Sequence, residues 1–456
     1  MSEWKKVKIG DFLTERQGRY KPNDKDISTY QRLDKIDFSG NIHISNKPTK
    51  TDMIIVFPGD LVISGINVAK GAISVYQGKE PVCATIHYSS YTFDDKKVDL
   101  DYFKYFVKSP AFIFALQQQV KGGIKTEIKP KHLLPLEISL PDLSSQKEIV
   151  KVLSKKIEKV ELLKSEIESQ KSYVKLLRQN ILQEAIEGKL TEDWRKENPV
   201  VEGNPDFDAE ALFEKIQEEK CHTDSELPLE TSLRIRNSKK KVFEPIAENE
   251  QPFEIPECWK WVRLGEITTL ITDGKHGDSE NQDNSGFYFL SAKDIQNEKL
   301  VYDYARQITE KDFYETHRRT NLKPGDICIV NTGATVGKLA IAPDDKKTYS
   351  TTFQKSVAIV KLVKDYVYNK YIKYYLLNDV PRLMQKSWGS AINNLLLSDM
   401  RIELIPLPPL AEQKEIVKQV EKHLANVTEL EEQIIEREEM TKQLMQSIMK
   451  DAFREV

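Results

Sequence analysis

One twelve-residue motif occurs twice in this chain of 456 residues, and it constrains the fold more than any other feature. Residues 140–151 read LPDLSSQKEIVK, and residues 407–418 read LPPLAEQKEIVK. Gln413 therefore follows Gln146 by 267 residues, so that more than half of the chain separates the two copies. A repeat of this length is predicted to be a whole domain followed by a helix, used twice.

Further matches keep nearly the same spacing. The stretch WKKVKIGD at Trp4 resembles WKWVRLGE at Trp259, and a Pro-Gly-Asp turn stands at 58–60 and again at 324–326. Short apolar runs between turn residues predict strands, and longer aromatic-rich segments with helical spacing predict helices. The predicted strands are 53–57, 61–64, 72–76, 327–330, 339–341 and 357–360, and the predicted helices are 102–116 and 366–384. Each repeat is thus predicted to be a compact α+β domain.

A heptad pattern follows each copy of the motif. Mostly apolar side chains recur every seven residues, and the second series lies 267 residues after the first. The predicted seam consists of Leu153, Val160, Ile167, Val174, Ile181, Val420, Val427, Ile434, Thr441 and Ile448, with Leu163, Leu177, Leu430 and Leu444 at its second position. A shared register predicts two helices that pack along one seam, and two unrelated surface helices are the alternative. We expect an antiparallel pair, because it places the two domains at opposite ends of a spacer about 60 Å long.

The patterns divide the chain into five parts. They are a first domain (1–143), a central spacer helix (144–190), a linker with a short helix (191–254), a second domain (255–408) and a C-terminal spacer helix (409–456). The expected fold class is α+β, with two α/β domains joined by two long helices in an antiparallel coiled coil and a pseudo-two-fold internal repeat.

Charge and cysteine usage limit the possible functions. The 68 basic and 71 acidic residues nearly cancel, so positive charge for nucleic-acid binding must be local. The four cysteines are scattered and predict neither a disulfide framework nor a zinc site. Without an apolar leader or a membrane-length apolar run, the sequence predicts a cytoplasmic protein.

Apparent catalytic motifs fail on their details. Residues 333–338 read GATVGK, which is one residue shorter than a phosphate-binding loop and is followed by Leu339 where Ser or Thr is needed. The segment also lies between two predicted strands, so a glycine-rich turn is the better interpretation. Residues 204–207, NPDF, lack the second proline of the amino-methyltransferase signature. We therefore predict no catalytic residue and no metal site.

Taken together, these features resemble the specificity subunits of type I restriction–modification systems. The resemblance rests on the Trp-led domain, the glycine-rich turn, the closing motif and the long helix, all present twice in this order. The segments DGKH at 273–276 and IEGKLTEDWR at 186–195 are also typical of that family. The first repeat departs from the pattern, because GINVAKG at 65–71 replaces the GATVGK turn.

The resemblance implies a non-catalytic protein with two target recognition domains, each reading one half of a bipartite DNA sequence. It further implies that the helices set the spacing of the half-sites and dock two modification (methyltransferase) subunits, which restriction (helicase–nuclease) subunits then join. S-adenosylmethionine would belong to the modification subunit, and ATP and Mg²⁺ to the restriction subunit, with no cofactor on this chain.

Loop residues able to contact phosphates or base edges are the candidate DNA-binding residues. They are Arg19, Lys21, Arg32, Lys35, Asn67, Lys70 and Lys125 in the first domain, and Lys275, His276, Lys293, Asn331, Thr335, Lys338 and Gln354 in the second. For any one of them, a solvated surface residue is an equally good interpretation. The alternative function is a coiled-coil scaffold whose duplicated domains bind protein or glycan, and a stand-alone methyltransferase or nuclease is opposed by the missing motifs.

Overall fold

A computed structural model describes residues 4–38, 40–45, 47–66, 72–110, 112, 114, 129–225, 243–386 and 394–453. The chain divides into two compact units. Unit 1 comprises Met1–Lys171 and Glu432–Val456, and unit 2 comprises Ser172–Glu431. Each unit therefore contains one domain together with parts of both long helices.

The strands of unit 1 are short, as alternating apolar runs between turns predict. They are β1 (Lys5–Lys8), β2 (Leu13–Glu15), β3 (Arg32–Ile36), β4 (Ile42–Ser45), β5 (Met53–Val56), β6 (Leu61–Ser64), β7 (Ile73–Val75), β8 (Val82–Thr85), β9 (Tyr88–Phe93) and β10 (Glu137–Leu140). The strands of unit 2 are β11 (Lys260–Arg263), β12 (Thr268–Asp273), β13 (Tyr288–Leu290), β14 (Ile295–Gln296), β15 (Lys299–Leu300), β16 (Arg306–Gln307), β17 (Ile327–Val330), β18 (Leu339–Ile341), β19 (Thr351–Phe353), β20 (Val357–Leu362) and β21 (Leu404–Leu407).

The described helices accompany these strands in both units. They are α1 (Leu100–Phe106), α2 (Pro130–Leu133), α3 (Leu143–Ile186), α4 (Glu192–Glu197), α5 (Ala209–Ser225), α6 (Glu310–Thr320), α7 (Lys346–Tyr349), α8 (Asn369–Lys386), α9 (Leu397–Ile402) and α10 (Leu410–Ala452). The predicted α+β class is confirmed. Among the described residues, no helix combines the length and the apolar composition that crossing a lipid bilayer requires.

The internal repeat extends to the sheet topology. Unit 1 has a four-stranded sheet of order β2-β9-β6-β7, and unit 2 has one of order β12-β20-β17-β18. In each unit the strand after the repeated tryptophan pairs antiparallel with the strand before the long helix. Lys5 lies opposite Leu140, and Lys260 lies opposite Leu407. The repeated Leu-Pro motif therefore closes each domain on its own first strand.

The repeated Pro-Gly-Asp turn is also explained by the structure. Its aspartate is buried in both units, as Asp60 and as Asp326. Asp60 accepts hydrogen bonds from Arg16 Nε at 2.7 Å and from Ser90 Oγ at 2.8 Å. Asp326 accepts the backbone N–H of Lys323 at 2.7 Å and pairs with Lys361. The turn thus fixes the start of the following strand through a buried carboxylate.

In unit 1 the two long helices run antiparallel. Leu153 packs in one hydrophobic cluster with Met449 and Phe453, whereas Lys171, farther along α3, pairs with Glu438 at 2.9 Å. Residue numbers therefore rise along one helix as they fall along the other. The predicted antiparallel pairing is confirmed in this unit.

Unit 2 shows the same antiparallel arrangement. Arg178 lies 3.3 Å from Glu431, and Leu182 and Ala185 share a core with Val420. Nine of the ten predicted seam residues are buried in their respective units, and Ile448 is half-buried.

The second seam position differs from the prediction. Leu163, Leu177, Leu430 and Leu444 are all between 37% and 43% exposed. Two helices in contact along one line of residues cover that line, whereas the neighbouring positions stay open to solvent unless further helices pack on them. The prediction that these leucines lie inside the pair was therefore wrong.

The segment after the central helix is anchored within unit 2 by one buried carboxylate. Glu412, at the start of α10, is 1% exposed. It accepts hydrogen bonds from Thr191 Oγ1 at 2.7 Å and from Trp259 Nε1 at 2.8 Å, and it pairs with Arg195. Leu212 of α5 is fully buried in the same unit. Ser145 stands at the position of Glu412 in the first repeat, where the sequence offers no matching carboxylate.

Candidate nucleic-acid interface

The second-domain candidates gather at one end of the four-stranded sheet of unit 2. Strands β12 and β17 end there and β18 and β20 begin there, because neighbouring strands in this sheet are antiparallel. Asp273 lies opposite Ala358, and Val330 lies opposite Val357. The segments 274–277, 331–338 and 354–356 are therefore brought together, and they carry Lys275, His276, Asn331, Thr335, Lys338 and Gln354.

The glycine-rich segment at 331–338 is a turn between two strands, as predicted. Val330 closes it by accepting the N–H of Gly337 at 2.8 Å and by donating its own N–H to the carbonyl of Lys338 at 2.7 Å. Gly337 has φ +91°, and a Cβ there would lie 2.2 Å from Val380 of α8. Only glycine tolerates both that backbone conformation and that close approach. Lys338, the next residue, is exposed.

The DGKH segment crosses from one sheet to the other beside this turn. A Cβ on Gly274 would lie 2.0 Å from the carbonyl oxygen of Phe353, so glycine is required by close backbone approach. Lys275 donates its N–H to that carbonyl at 2.8 Å and accepts the N–H of Lys355 at 3.0 Å. These bonds place the predicted residues Lys275 and Gln354 side by side.

The positive charge of the DGKH segment is largely neutralised. The ammonium of Lys275 lies 3.2 Å from Glu315 and 3.5 Å from Asp312. His276 Nε2 lies 2.9 Å from Asp273, which Arg319 also contacts. The backbone N–H of Glu280 is the main cause that lowers the pKa of Asp312, burial opposes it, and Lys275 adds a further lowering. A phosphate near Lys275 must therefore compete with carboxylates that are already in place.

Three exposed lysines at this end have no ion pair with any residue that the structure describes. They are Lys293, Lys338 and Lys355. Lys293 follows β13, in a helical turn that is closed by Asp294 accepting the N–H of Ser291 at 2.8 Å. Lys355 was not among the predicted DNA-binding residues, although its place next to the predicted residue Gln354 indicated it. These lysines are the better candidates for phosphate contacts.

The first-domain candidates that the structure describes lie in two places: Arg19 and Lys21 in the segment after β2, and Arg32 and Lys35 on β3, which belongs to a different sheet of order β4-β3-β8-β5. Arg19 and Lys21 follow β2 and are exposed, and Tyr20 between them bridges to Met53 of β5. Lys35 is exposed on β3.

Arg32 differs from the other first-domain candidates. Its guanidinium donates to Asp34 at 2.6 Å and to the carbonyl of Pro48 at 3.2 Å, and its buried Nε has no hydrogen-bond partner among the described residues. Asn67, Lys70 and Lys125 lie outside the described residues.

Comparisons with known proteins bear on what this arrangement does. The profile of the type I restriction modification DNA specificity domain matches residues 1–170 and 256–439. Among curated relatives, the EcoBI specificity subunit of Escherichia coli is 22% identical over 349 residues, which cover 76% of this chain and 63% of the relative. The EcoKI specificity subunit of Escherichia coli is 22% identical over 401 residues, 88% of this chain and 75% of the relative.

A solved chain has a similar fold. It comes from a structural study of complex assembly and conformational transition of the type I R-M system, and it has a TM-score of 0.65 at 19% identity. The match covers 99% of this chain and 98% of that one. The two-domain, two-helix organisation is thus shared with a protein of known structure.

Proposed function

We propose, from the premise that this chain belongs to the family of type I restriction–modification DNA specificity subunits, that its two domains read the two halves of a bipartite DNA target. The central and C-terminal helices set the distance between the half-sites and dock two modification subunits. The chain itself is a non-catalytic member of the complex, and it acts in the cytoplasm.

The observation that carries the proposal is the equivalence of two sheet ends. Both units contain a four-stranded sheet of the same strand order, and candidate residues follow the equivalent strands β2 and β12. The segments after these two strands carry different side chains, Arg19 and Lys21 against Lys275 and His276. One architecture with two sets of contact residues suits a target made of two unlike halves.

Docking of partner subunits is supported by the exposed apolar side chains on the helices. In unit 2, Tyr173, Leu176 and Leu177 lie beside the seam of α3, and Tyr173 is 70% exposed. In unit 1, Leu162 and Leu163 hold the corresponding positions, and Leu162 is 66% exposed. Neighbouring exposed apolar residues on a helix mark interaction surfaces. Helices of the modification subunits that cover these positions would complete a bundle around the pair.

Catalysis is assigned to the partners under this proposal. The modification subunit would bind S-adenosylmethionine and transfer the methyl group, and the restriction subunit would use ATP and Mg²⁺. The residues of this chain would hold double-stranded DNA in register for them through phosphate and base-edge contacts.

The proposal is tested by co-expressing this chain with its modification subunit and mapping methylated adenines over a genome. We expect copurification of the two proteins and methylation at a split motif with a gap of constant length. Copurification without any methylated motif would favour a scaffold over a reader of DNA. A continuous motif would contradict the division into two half-sites.

A further inference from the structure

Asn331 and Ser356 lie directly beyond the last pair of the β17–β20 ladder, where the glycine-rich turn begins. Val330 lies opposite Val357 in the β17–β20 ladder, and the N–H of Asn331 donates to the carbonyl of Ser356 at 3.0 Å. Ser356 belongs to the turn that precedes β20. Asn331 and Ser356 are therefore neighbours at the candidate interface.

Both side chains carry a polar atom without a partner. Asn331 is 5% exposed, and its buried Oδ1 accepts no hydrogen bond from any residue that the structure describes. The Oγ of Ser356 is likewise buried and has no hydrogen-bond partner in the described part of the chain. Buried polar atoms are nearly always satisfied in folded proteins, so two orphaned atoms on neighbouring residues need an explanation.

The backbone of Asn331 is held firmly in place. Its carbonyl accepts the N–H of Leu395 at 2.7 Å, and the adjacent Thr332 donates to Asn394 Oδ1 at 2.9 Å. These contacts orient the turn without using the carboxamide of Asn331. An unused acceptor on a backbone that is held in place is preorganised for a ligand that donates a hydrogen bond.

The first repeat has other chemistry at the same ladder position. Ser64 lies opposite Tyr88, and Gly65 donates its N–H to the carbonyl of His87 at 2.9 Å, as Asn331 does to Ser356. Gly65 has no side chain, and His87 is exposed. One structural position thus carries an amide and a hydroxyl in one repeat and a single imidazole in the other.

We infer that this ladder position determines base specificity, and that Asn331 reads an adenine in the half-site of the second domain. The inference rests on the proposed function. In the major groove, the N6 amino group of adenine donates and N7 accepts, and an asparagine carboxamide matches both. Oδ1 of Asn331 takes the amino proton, and Ser356 provides a second polar group beside it. His87 provides the base contact at the equivalent place of the first domain.

The test maps methylated adenines for the complex of this chain with its modification subunit, using wild type, Asn331→Leu and His87→Ala. Leucine keeps the size of asparagine and removes the acceptor. We expect Asn331→Leu to lower discrimination for adenine at one position of one half-site by roughly 5- to 150-fold, the range of a bidentate base contact. His87→Ala should relax one position of the other half-site. The gap length and the remaining positions should not change.

The outcomes separate the inference from the proposed function. An unchanged motif for Asn331→Leu overturns the inference, and so does a relaxed position at which adenine was not preferred. Loss of both half-sites together would also overturn it, because the residue would then be structural. If Asn331→Leu yields no complex with the modification subunit, Asn331→Ser and Ser356→Ala are measured in the same way. Unchanged motifs for both of these variants also overturn the inference. A wild-type complex that methylates no split motif would instead refute the proposed function.

Discussion

Gln413 accepts a hydrogen bond from the backbone N–H of Tyr368 at 2.9 Å, which ties the start of the C-terminal helix to the helix that begins at Asn369. Its amide donates at 3.0 Å to the carbonyl of the proline five residues earlier. Gln146 makes the equivalent bonds in the first repeat, to the N–H of Asp99 at 2.7 Å and to the preceding proline carbonyl at 2.8 Å. The invariance of this glutamine between the repeats therefore has a structural cause.

Replacing Gln413 by leucine should destabilise unit 2. The side chain is fully buried, so the substitution leaves the N–H of Tyr368 and a carbonyl without partners. Each unsatisfied group costs about 1 to 3 kcal/mol, and we expect a loss of about 2 to 4 kcal/mol in the free energy of unfolding in urea. Lys414→Gln, at the exposed next residue, is the matched control and should change it by less than about 0.5 kcal/mol. Equal stability of Gln413→Leu and wild type would show that the two hydrogen bonds of Gln413 are dispensable.

The ion pair between Glu412 and Arg195 should be strongly coupled. Glu412→Leu leaves a guanidinium that is largely buried without its carboxylate, which costs about 3 to 5 kcal/mol. Adding Arg195→Met to that variant should restore part of the loss, because no uncompensated charge remains, whereas Thr191 and Trp259 still lack their acceptor. A double-mutant cycle on urea unfolding measures the coupling. Additive effects of the two substitutions would contradict the network described here.

Charged substitutions should have different effects in the seam of the long helices and in the exposed stripe beside it, which consists of Leu162, Leu163, Tyr173, Leu176 and Leu177. Ile167 and Ile434 are buried in unit 1, so Ile167→Asp with Ile434→Asp places two unpaired carboxylates in the helix pair. We expect the helices to separate, which hydrogen exchange detects as faster exchange of their amide hydrogens. We also expect loss of copurification with the modification subunit.

Tyr173→Asp with Leu176→Asp is the matched comparison on the exposed stripe. Both side chains are more than half exposed, so the free energy of unfolding should stay within about 0.5 kcal/mol of wild type. Copurification with the modification subunit should nevertheless fall, because apolar contact area is replaced by charge. Full binding by this variant would place the docking surface elsewhere.

Lysines without an ion pair should contribute more to DNA affinity than Lys275. For the complex with the modification subunit, Lys338→Ala should weaken binding equally for all DNA sequences and reduce the slope of log K against log salt by about 1. Lys275→Ala should have a smaller effect, because Glu315 and Asp312 already neutralise that ammonium. Titrations at several salt concentrations measure both. The reverse order of effects would show that Lys275 leaves its carboxylates to reach a phosphate.

Patterns that repeat locally were predictable from the sequence, and contacts between distant segments were not. The heptad register placed Ile167 and Val427 in the seam, and the bounds predicted for β6, β17 and β18 match the structure. The neutralisation of Lys275 was invisible, because its carboxylate partner Glu315 comes from a helix 40 residues away. The Glu412 network was missed because the segment around Arg195 has no counterpart in the second repeat. The exposure of the leucines at the second seam position was not predictable either, because it depends on what packs against the outside of the helix pair.

We propose above that the two equivalent domains divide the target between them, each reading one half. This proposal is tested most directly by replacing residues 259–407 with a second copy of residues 4–140, which exchanges one closed domain for the other at the strands that pair β1 with β10 and β11 with β21. Methylated adenines are then mapped for the complex of this chain with its modification subunit. We expect a split motif whose two halves are inverted copies of one wild-type half-site, separated by a constant gap. A motif that stays asymmetric, in a complex that still assembles, would contradict it.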